Sequence, residues 1–150
     1  MNNKCKGLSY KNYLKKKSAE FNELPIKFAY NEDQFKNMLA EWGMSRDDKN
    51  KIIRLGTGVF CLKDDYSNII NWEKEERLEL ESLMEDRNFA VDAYFYEMCN
   101  HEYSINWDGD WDVLQYFGKE DISDLNEIQQ SYYSEAKAKY LKKAEECGWY

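Results

Sequence analysis

The chain has 150 residues, a formal net charge of −8, 43% hydrophobic residues and 16% aromatic residues. This composition supplies one hydrophobic core and excludes a disordered acidic chain, because such chains are poor in aromatic residues. No apolar run approaches the roughly 20 residues that cross a bilayer, which excludes an integral membrane protein. We therefore expect a single globular domain over residues 1–150, in which residues 1–8 are a candidate for disorder.

The first elements in the chain are two helices with a strand between them. A helix is predicted over residues 9–23 and ends before Pro25, the single proline. Apolar residues alternate with others over residues 26–30, which predicts a short strand. Asn31 then caps a second helix that ends at Gly43.

A glycine turn follows. Residues 45–48 carry a second helix-start signal. Further along, the run Gly56-Thr57-Gly58 precedes the β-prone segment Val59–Leu62. This pattern predicts a turn into a strand that pairs with residues 26–30. The turn lacks the Lys-Ser/Thr pair of a phosphate loop, and a strand follows it rather than a helix, so it does not predict a nucleotide site.

Two long helices are predicted next. Asp64 or Asp65 caps a helix that is amphipathic with an acidic outer face. The carboxylates of that face are Glu73, Glu75, Glu76, Glu79, Glu81 and Glu85. Asn88 begins the second helix, which is apolar around most of its circumference up to Cys99 and is therefore predicted to be the central buried helix.

The last third begins with a loop at Asn106–Asp110 and a short helix over Trp111–Phe117, which ends at Gly118. Ser123 or Asp124 begins a final helix that ends at Gly148. Its predicted apolar stripe consists of Leu125, Ile128, Tyr132, Ala136, Tyr140 and Ala144. The predicted fold class is α+β: a predominantly helical single domain of five or six helices with a small two- or three-stranded sheet.

Charge is distributed very unevenly along the chain. Nineteen of the 29 acidic residues lie between Asp64 and Glu127, a segment with only four basic residues. A concentrated negative field attracts basic surfaces and repels phosphate backbones, so the expected partner is a protein with a basic groove, and direct nucleic-acid binding is not expected. The first thirty residues contain seven lysines. These lysines indicate a solvated face or an intramolecular partner for the acidic helix, with phosphate contact as the weaker alternative.

Four cysteines are scattered along the chain without a CxxC pair, at Cys5, Cys61, Cys99 and Cys147. The N-terminal segment lacks the apolar run of a secretory signal, so free thiols in a reducing cytoplasm are expected. Cys61 and Cys99 lie within apolar runs, which is typical of core residues rather than nucleophiles.

Two clusters of polar residues could support chemistry. His101, the single histidine, adjoins Glu102 and could form an acid–base pair with it, but a histidine that stabilises the end of a helix is the favoured interpretation. Asp108, Asp110 and Asp112 alternate as at the start of a calcium loop, but the later glycine and glutamate ligands are missing. An acidic turn before the short helix is favoured, and no cofactor, metal site or catalytic residue is predicted.

The most distinctive string of the chain is YEMCNHEY at Tyr96–Tyr103, and it is accompanied by Phe28-Ala29-Tyr30, Gln34-Phe35 and Leu55–Phe60. On these segments, over about residues 9–118, the chain resembles a family of small uncharacterised proteins from bacteriophages and other mobile elements of Firmicutes. Family members continue with a Tyr-Thr-Gly-Asp-like turn, whereas this chain has a longer turn with an extra tryptophan at residues 104–110. The resemblance implies a phage context, in which small acidic proteins are often anti-defence factors.

The sequence therefore predicts a phage-type anti-defence protein, similar to anti-CRISPR inhibitors, that binds stoichiometrically to the basic nucleic-acid channel of a host effector complex. The predicted partner-binding residues are Asp64, Asp65, Glu73, Glu76, Glu79, Trp107, Asp108, Asp110 and Trp111. Two alternatives stay open. One is a small metal-assisted enzyme acting on nucleotides or nucleic acid, centred on His101 and Glu102 with a divalent ion at Asp108 or Asp110. The other is a self-associating structural or regulatory phage protein.

Overall fold

The structure, a computed structural model, describes residues 9–149. In this range the chain forms six α-helices and a three-stranded antiparallel sheet, which confirms the predicted predominantly helical α+β class. None of the helices in this range is long and apolar enough to span a membrane. Cys5, the first lysines and the candidate disorder at residues 1–8 lie outside the described residues.

The chain divides into two compact units, one formed by residues up to Ser18 together with Arg77 onward and the other by Ala19–Glu76. The boundaries fall within two helices, α1 (Tyr10–Asn22) and α3 (Tyr66–Leu83). Each of these helices therefore contributes residues to both units.

The Ala19–Glu76 unit contains the sheet. Its strands are β1 (Ile26–Phe28), β2 (Ile52–Gly56) and β3 (Val59–Leu62), in the order β1-β3-β2. The predicted pairing is confirmed, since β1 lies antiparallel to β3 with Ile26 opposite Cys61. β2 was not assigned from the sequence; a short 3-10 helix leads into it, and it returns to β3 through the glycine turn.

Helix α2 (Glu32–Glu41) and the glycine turn complete this unit. The Asn31 side chain accepts a hydrogen bond from the Gln34 backbone at 2.8 Å, so the predicted cap is confirmed. Gly58 has φ +71°, and a Cβ at this position would lie 2.4 Å from the ring of Tyr30. Only glycine combines this backbone conformation with so close an approach of an aromatic ring.

The other unit is built around α4 (Arg87–Asn100) and α6 (Glu127–Cys147), with α5 (Gly109–Leu114) beside them. The prediction that α4 is the central buried helix is confirmed: Phe89, Ala90, Ala93, Tyr94, Glu97 and Met98 are all buried. The Tyr94 ring packs edge-on against Phe117 and Tyr133, with centroids 5.0 and 5.1 Å away. Aromatic rings thus supply much of this core, which accounts for their abundance in the sequence.

The predicted start of the last helix was wrong, and its predicted stripe was right in part. Leu125, Ala136, Tyr140 and Ala144 are buried as predicted, whereas Ile128 and Tyr132 are not. Asn126 caps α6, three residues after Ser123, and the intervening residues Ile122–Asp124 form a 3-10 turn. Ile128 is exposed, and Tyr133 is buried in place of Tyr132. The buried stripe is Tyr133, Ala136, Tyr140 and Ala144, in which a step of three residues precedes the steps of four. Each step of four residues drifts by about 40° on an α-helix, and the step of three offsets part of this drift, whereas the predicted run from Ile128 contained only steps of four.

Candidate interaction surface

The connection between α4 and α5, residues 101–108, follows a path that internal hydrogen bonds fix. The Asn106 side-chain amide donates to the carbonyl of His101 at 3.0 Å and to the carboxylate of Asp112 at 2.7 Å. Its side-chain oxygen accepts from the backbone of Asp108 at 2.9 Å. One asparagine therefore ties both ends of this loop together. The longer turn noted in the sequence is an ordered loop.

Asp110 anchors the same loop to the core of its unit. The hydroxyls of Tyr103 and Tyr133 both donate to its Oδ1, at 2.5 and 2.6 Å. Burial first, and then these bonds, raise the pKa of both phenols above the ordinary value. Gly109 lets the Tyr103 ring approach, since a Cβ there would lie 2.8 Å from it. Asp110, predicted as a partner-binding residue, is thus half-buried and also bonded internally.

Two tryptophans of this region face solvent. Trp107 is 97% exposed and Trp111 is 48% exposed. Trp111 lines a groove of about 550 Å³, together with Asp108, Asp110, Glu120, Asp121 and Ile122. The structure therefore brings together three of the predicted residues, Asp108, Asp110 and Trp111, and Trp107 precedes Asp108 in the loop. We define the acidic–aromatic surface as Trp107, Asp108, Trp111, Glu120 and Asp121.

Glu120 and Asp121 were missed by the sequence analysis, which placed the start of the last helix too early. Their backbone amides both donate to Asp124 Oδ2 at 3.1 Å. The Asp121 side chain in turn accepts from the backbone of Ser123 at 3.0 Å. This reciprocal capping follows directly after Gly118, which ends the preceding helical turn. The capping pattern Asp-x-x-Asp was the signal that could have identified the turn.

Four of the predicted residues near α3 belong to the Ala19–Glu76 unit. Asp64 and Asp65 lie in the 3-10 turn that precedes α3, and Glu73 and Glu76 lie on the helix. Asp64 and Glu73 are exposed, whereas Asp65 and Glu76 are half-buried. Asp64 and Glu73 are therefore the two exposed carboxylates of this set.

Glu79, the remaining predicted residue, forms an ion pair with Lys17 at 2.9 Å, and both side chains are largely shielded from solvent. The Lys17 ammonium group also lies 5.6 Å from the centroid of the Tyr13 ring. For this pair, a lysine of the first helix is the intramolecular partner of the acidic helix, which was one interpretation of the sequence. The Glu79 carboxylate is therefore bound within its own unit.

A second group of polar side chains lies inside the α4 core. Glu97 is 2% exposed, and its Oε1 accepts a hydrogen bond from the Tyr10 hydroxyl at 3.1 Å. Its Oε2 lies 3.4 Å from His101 Nε2. Burial raises the pKa of Glu97, and the hydrogen bond from Tyr10 and the nearby imidazole of His101 partly oppose this shift. This buried group joins α1 to the end of α4.

The partner of His101 differs from the one considered in the sequence. His101 is the C-cap of α4, as the favoured interpretation predicted, but it lies beside Glu97 rather than Glu102. Residues four apart share a helix face, whereas Glu102 is exposed and has φ +49°. The acid–base pair of the enzyme alternative, His101 with Glu102, is therefore not formed.

The described residues contain no group of three or more His, Cys, Asp or Glu side chains that could hold a metal ion. Asp108 and Asp110, the ligands of the enzyme alternative, thus lack the geometry of a ligand set in this part of the chain. Cys61 is buried and Cys99 half-buried, and burial raises the pKa of both thiols. The prediction that Cys61 is a core residue is confirmed.

Comparison with known proteins gives one family. The profile of a family of unknown function, DUF7659, matches residues 9–138. No match was found among curated proteins or among solved structures. The phage context implied by the resemblance stays a prediction. Because the family profile covers most of the chain, the protein belongs to the family of unknown function DUF7659.

Proposed function

We propose that the protein is a stoichiometric binding protein whose acidic–aromatic surface docks on the basic, nucleic-acid-binding groove of another protein or ribonucleoprotein. The observation that carries this proposal is the pair of exposed tryptophans, Trp107 and Trp111, beside a groove lined by carboxylates. Tryptophan is among the residues that contribute most to protein–protein binding when it becomes buried at an interface. An indole left in water contributes no burial to folding.

The charges beside the tryptophans favour a basic partner. Asp108, Glu120 and Asp121 are exposed around the groove, and the segment from residue 102 to residue 127 contains eight acidic residues and one lysine. Opposite charges accelerate association and exclude partners of the wrong sign. The partner would therefore present lysine or arginine side chains, as the channel of a nucleic-acid-binding effector does.

The biological setting follows from the phage context that the resemblance implies. Within that setting, the protein is an anti-defence inhibitor of the anti-CRISPR kind, which acts in the host cytoplasm by occupying the channel that would otherwise hold nucleic acid. Its action is steric and electrostatic and requires no catalytic residue of its own. One inhibitor molecule binds one effector complex.

Affinity capture from a bacterial host lysate tests this proposal. The immobilised protein is compared with a Trp107→Ala/Trp111→Ala variant and with Tyr30→Ala, which removes an exposed aromatic ring of the other unit. We expect the protein and the Tyr30→Ala control to retain basic proteins that elute as salt rises from about 0.1 M to about 0.5 M. Added DNA or RNA should release the same proteins, and the tryptophan variant should not capture them. Capture that neither salt nor nucleic acid reverses would contradict the proposal.

A further inference from the structure

Four exposed lysines lie on the second half of α6. Lys137, Lys139, Lys142 and Lys143 are exposed within seven residues. None of the four is within 4.0 Å of a carboxylate in the described part of the chain. Three of them lie instead over aromatic rings: Lys139 is 4.2 Å from the centroid of Phe95, Lys143 is 5.6 Å from that of Trp149, and Lys137 is 5.8 Å from that of Tyr103. Among the described residues of their unit, these positive charges therefore have no acidic partner. Residues 137 and 139 point about 160° apart on an α-helix, so the four lysines do not share one face. We define the basic surface as Lys137 and Lys143, which lie over Tyr103 and Trp149 beside the loop.

The basic surface adjoins the loop that carries Trp107 and Asp108. The Ser104 backbone amide donates to the hydroxyl of Tyr140 on α6 at 3.3 Å. The Ser104 hydroxyl donates to the carbonyl of Trp149, just beyond α6, at 3.5 Å. Tyr103, beneath Lys137, also donates to Asp110. The loop thus lies against the second half of α6, and acidic and basic groups occupy neighbouring parts of one surface.

Large apolar side chains are exposed where these two charged regions meet. Ile105 is 64% exposed, Trp107 is 97% exposed and Trp149 is 39% exposed. Glu102 and Asp108 are the exposed acidic residues of the loop. On α6, Lys137 lies over the ring of Tyr103 and Lys143 lies over the ring of Trp149. An apolar centre with a charged rim is the usual anatomy of a protein–protein interface.

We infer that a second copy of this chain covers this surface in an isologous dimer. A two-fold axis through the apolar centre places the acidic side of each copy against the basic side of the other, so each favourable charge contact occurs twice. The same operation packs Ile105, Trp107 and Trp149 against their symmetry mates. A surface with one sign of charge would repel its own copy, whereas this surface is complementary to itself.

This inference goes beyond the proposed function and does not depend on it. The dimer and the proposed partner both use Trp107 and Asp108, so each excludes the other. A partner that binds only the monomer shifts the monomer–dimer equilibrium towards the monomer. Self-association would therefore keep the surface covered until a partner of higher affinity is present.

Light scattering and sedimentation equilibrium test the dimer with two charge-reversed variants, Glu102→Lys/Asp108→Lys and Lys137→Glu/Lys143→Glu. We expect the unaltered protein to change from 18.0 kDa towards twice that mass as its concentration rises at low salt. At the four substituted positions each variant has side chains of only one sign of charge, so its self-association should weaken by about tenfold or more. An equimolar mixture of the two variants should dimerise again, because each variant now complements the other.

The mixture distinguishes lost charge complementarity from damaged folding. All four substitutions are at exposed positions, and circular dichroism verifies that each variant is folded. A protein that stays at 18.0 kDa at every concentration and low salt would overturn the inference. Variants that dimerise as well as the unaltered protein, or a mixture that stays monomeric, would overturn it equally.

Discussion

Replacing Asp110 with alanine is the most direct test of what holds the loop at residues 101–108 in place. Asp110 Oδ1 accepts from the hydroxyls of Tyr103 and Tyr133 at 2.5 and 2.6 Å. Tyr133 is 2% exposed, so in the unaltered protein its hydroxyl is shielded from bulk water and bonds to this carboxylate instead. Hydrogen bonds to charged groups contribute about 1.5–3 kcal/mol each. Because Tyr103 is only half-buried and water can replace part of its bond, we expect a total loss of about 3–4 kcal/mol in the free energy of unfolding.

Urea unfolding followed by circular dichroism and tryptophan fluorescence measures this loss. Asp108→Ala is the matched control, because Asp108 is exposed and its side chain makes no capping hydrogen bond. The control should stay within about 0.5 kcal/mol of the unaltered protein. The Tyr133→Phe substitution completes a double-mutant cycle. It should destabilise the unaltered protein, but it should be neutral or stabilising beside Asp110→Ala, where the Tyr133 hydroxyl already lacks its acceptor.

Two outcomes would contradict the coupling between Asp110 and Tyr133. If Tyr133→Phe costs the same in both backgrounds, the phenol and the carboxylate are not coupled, and the loop is held by other contacts. If Asp110→Ala and Asp108→Ala have equal effects, burial of the carboxylate does not decide its contribution.

Two further predictions concern buried Glu97 and the glycine turn. Because the pKa of Glu97 is raised in the folded protein, its stabilising contribution is complete below its ordinary pKa of about 4.3 and is lost as pH rises through the folded value. In urea titrations, the free energy of unfolding of the unaltered protein should therefore fall relative to that of Glu97→Gln between pH 4 and neutrality. A difference that is constant with pH would contradict the raised pKa. Gly58→Ala should lower the unfolding free energy by about 1–3 kcal/mol more than Gly43→Ala, since both have positive φ but only Gly58 faces a ring, that of Tyr30. Combining it with Tyr30→Ala should recover this excess, and equal costs for the two glycines would refute the steric argument.

Signals that act within a few residues predicted much of the fold. Pro25 and Asn31 set the limits of the first two helices, and Gly118 and Gly148 adopt the left-handed conformation that ends a helical segment. The pairing of residues 26–30 with β3 followed from the glycine turn and the β-prone residues after it. Such signals act through backbone conformation and local hydrogen bonds, so a single sequence contains them.

The features that the sequence did not predict depend on tertiary packing. Glu97 was overlooked because a carboxylate on a helix is normally exposed, although its position four residues before the only histidine was a usable signal. Glu79 was assigned to an open acidic face because nothing in the sequence states that Lys17 lies beside it. Burial and pairing of charges are set by elements that are distant in the chain, here separated by 62 residues.

The loop at residues 101–108 combines a backbone fixed by internal hydrogen bonds with an exposed tryptophan. Asn106 and Asp110 fix the loop through side chains that point into its own unit, so the conformation of the backbone near Trp107 is established before any partner arrives. Binding then loses less conformational entropy than it would for a mobile loop. Because Trp107 is 97% exposed, Trp107→Ala should leave the free energy of unfolding unchanged while weakening any association that buries the indole. An association that weakens in Trp107→Ala while the free energy of unfolding stays unchanged would identify Trp107 as an interface residue, whether the other side is a basic partner or a second copy of the chain; an unchanged association would contradict both proposals.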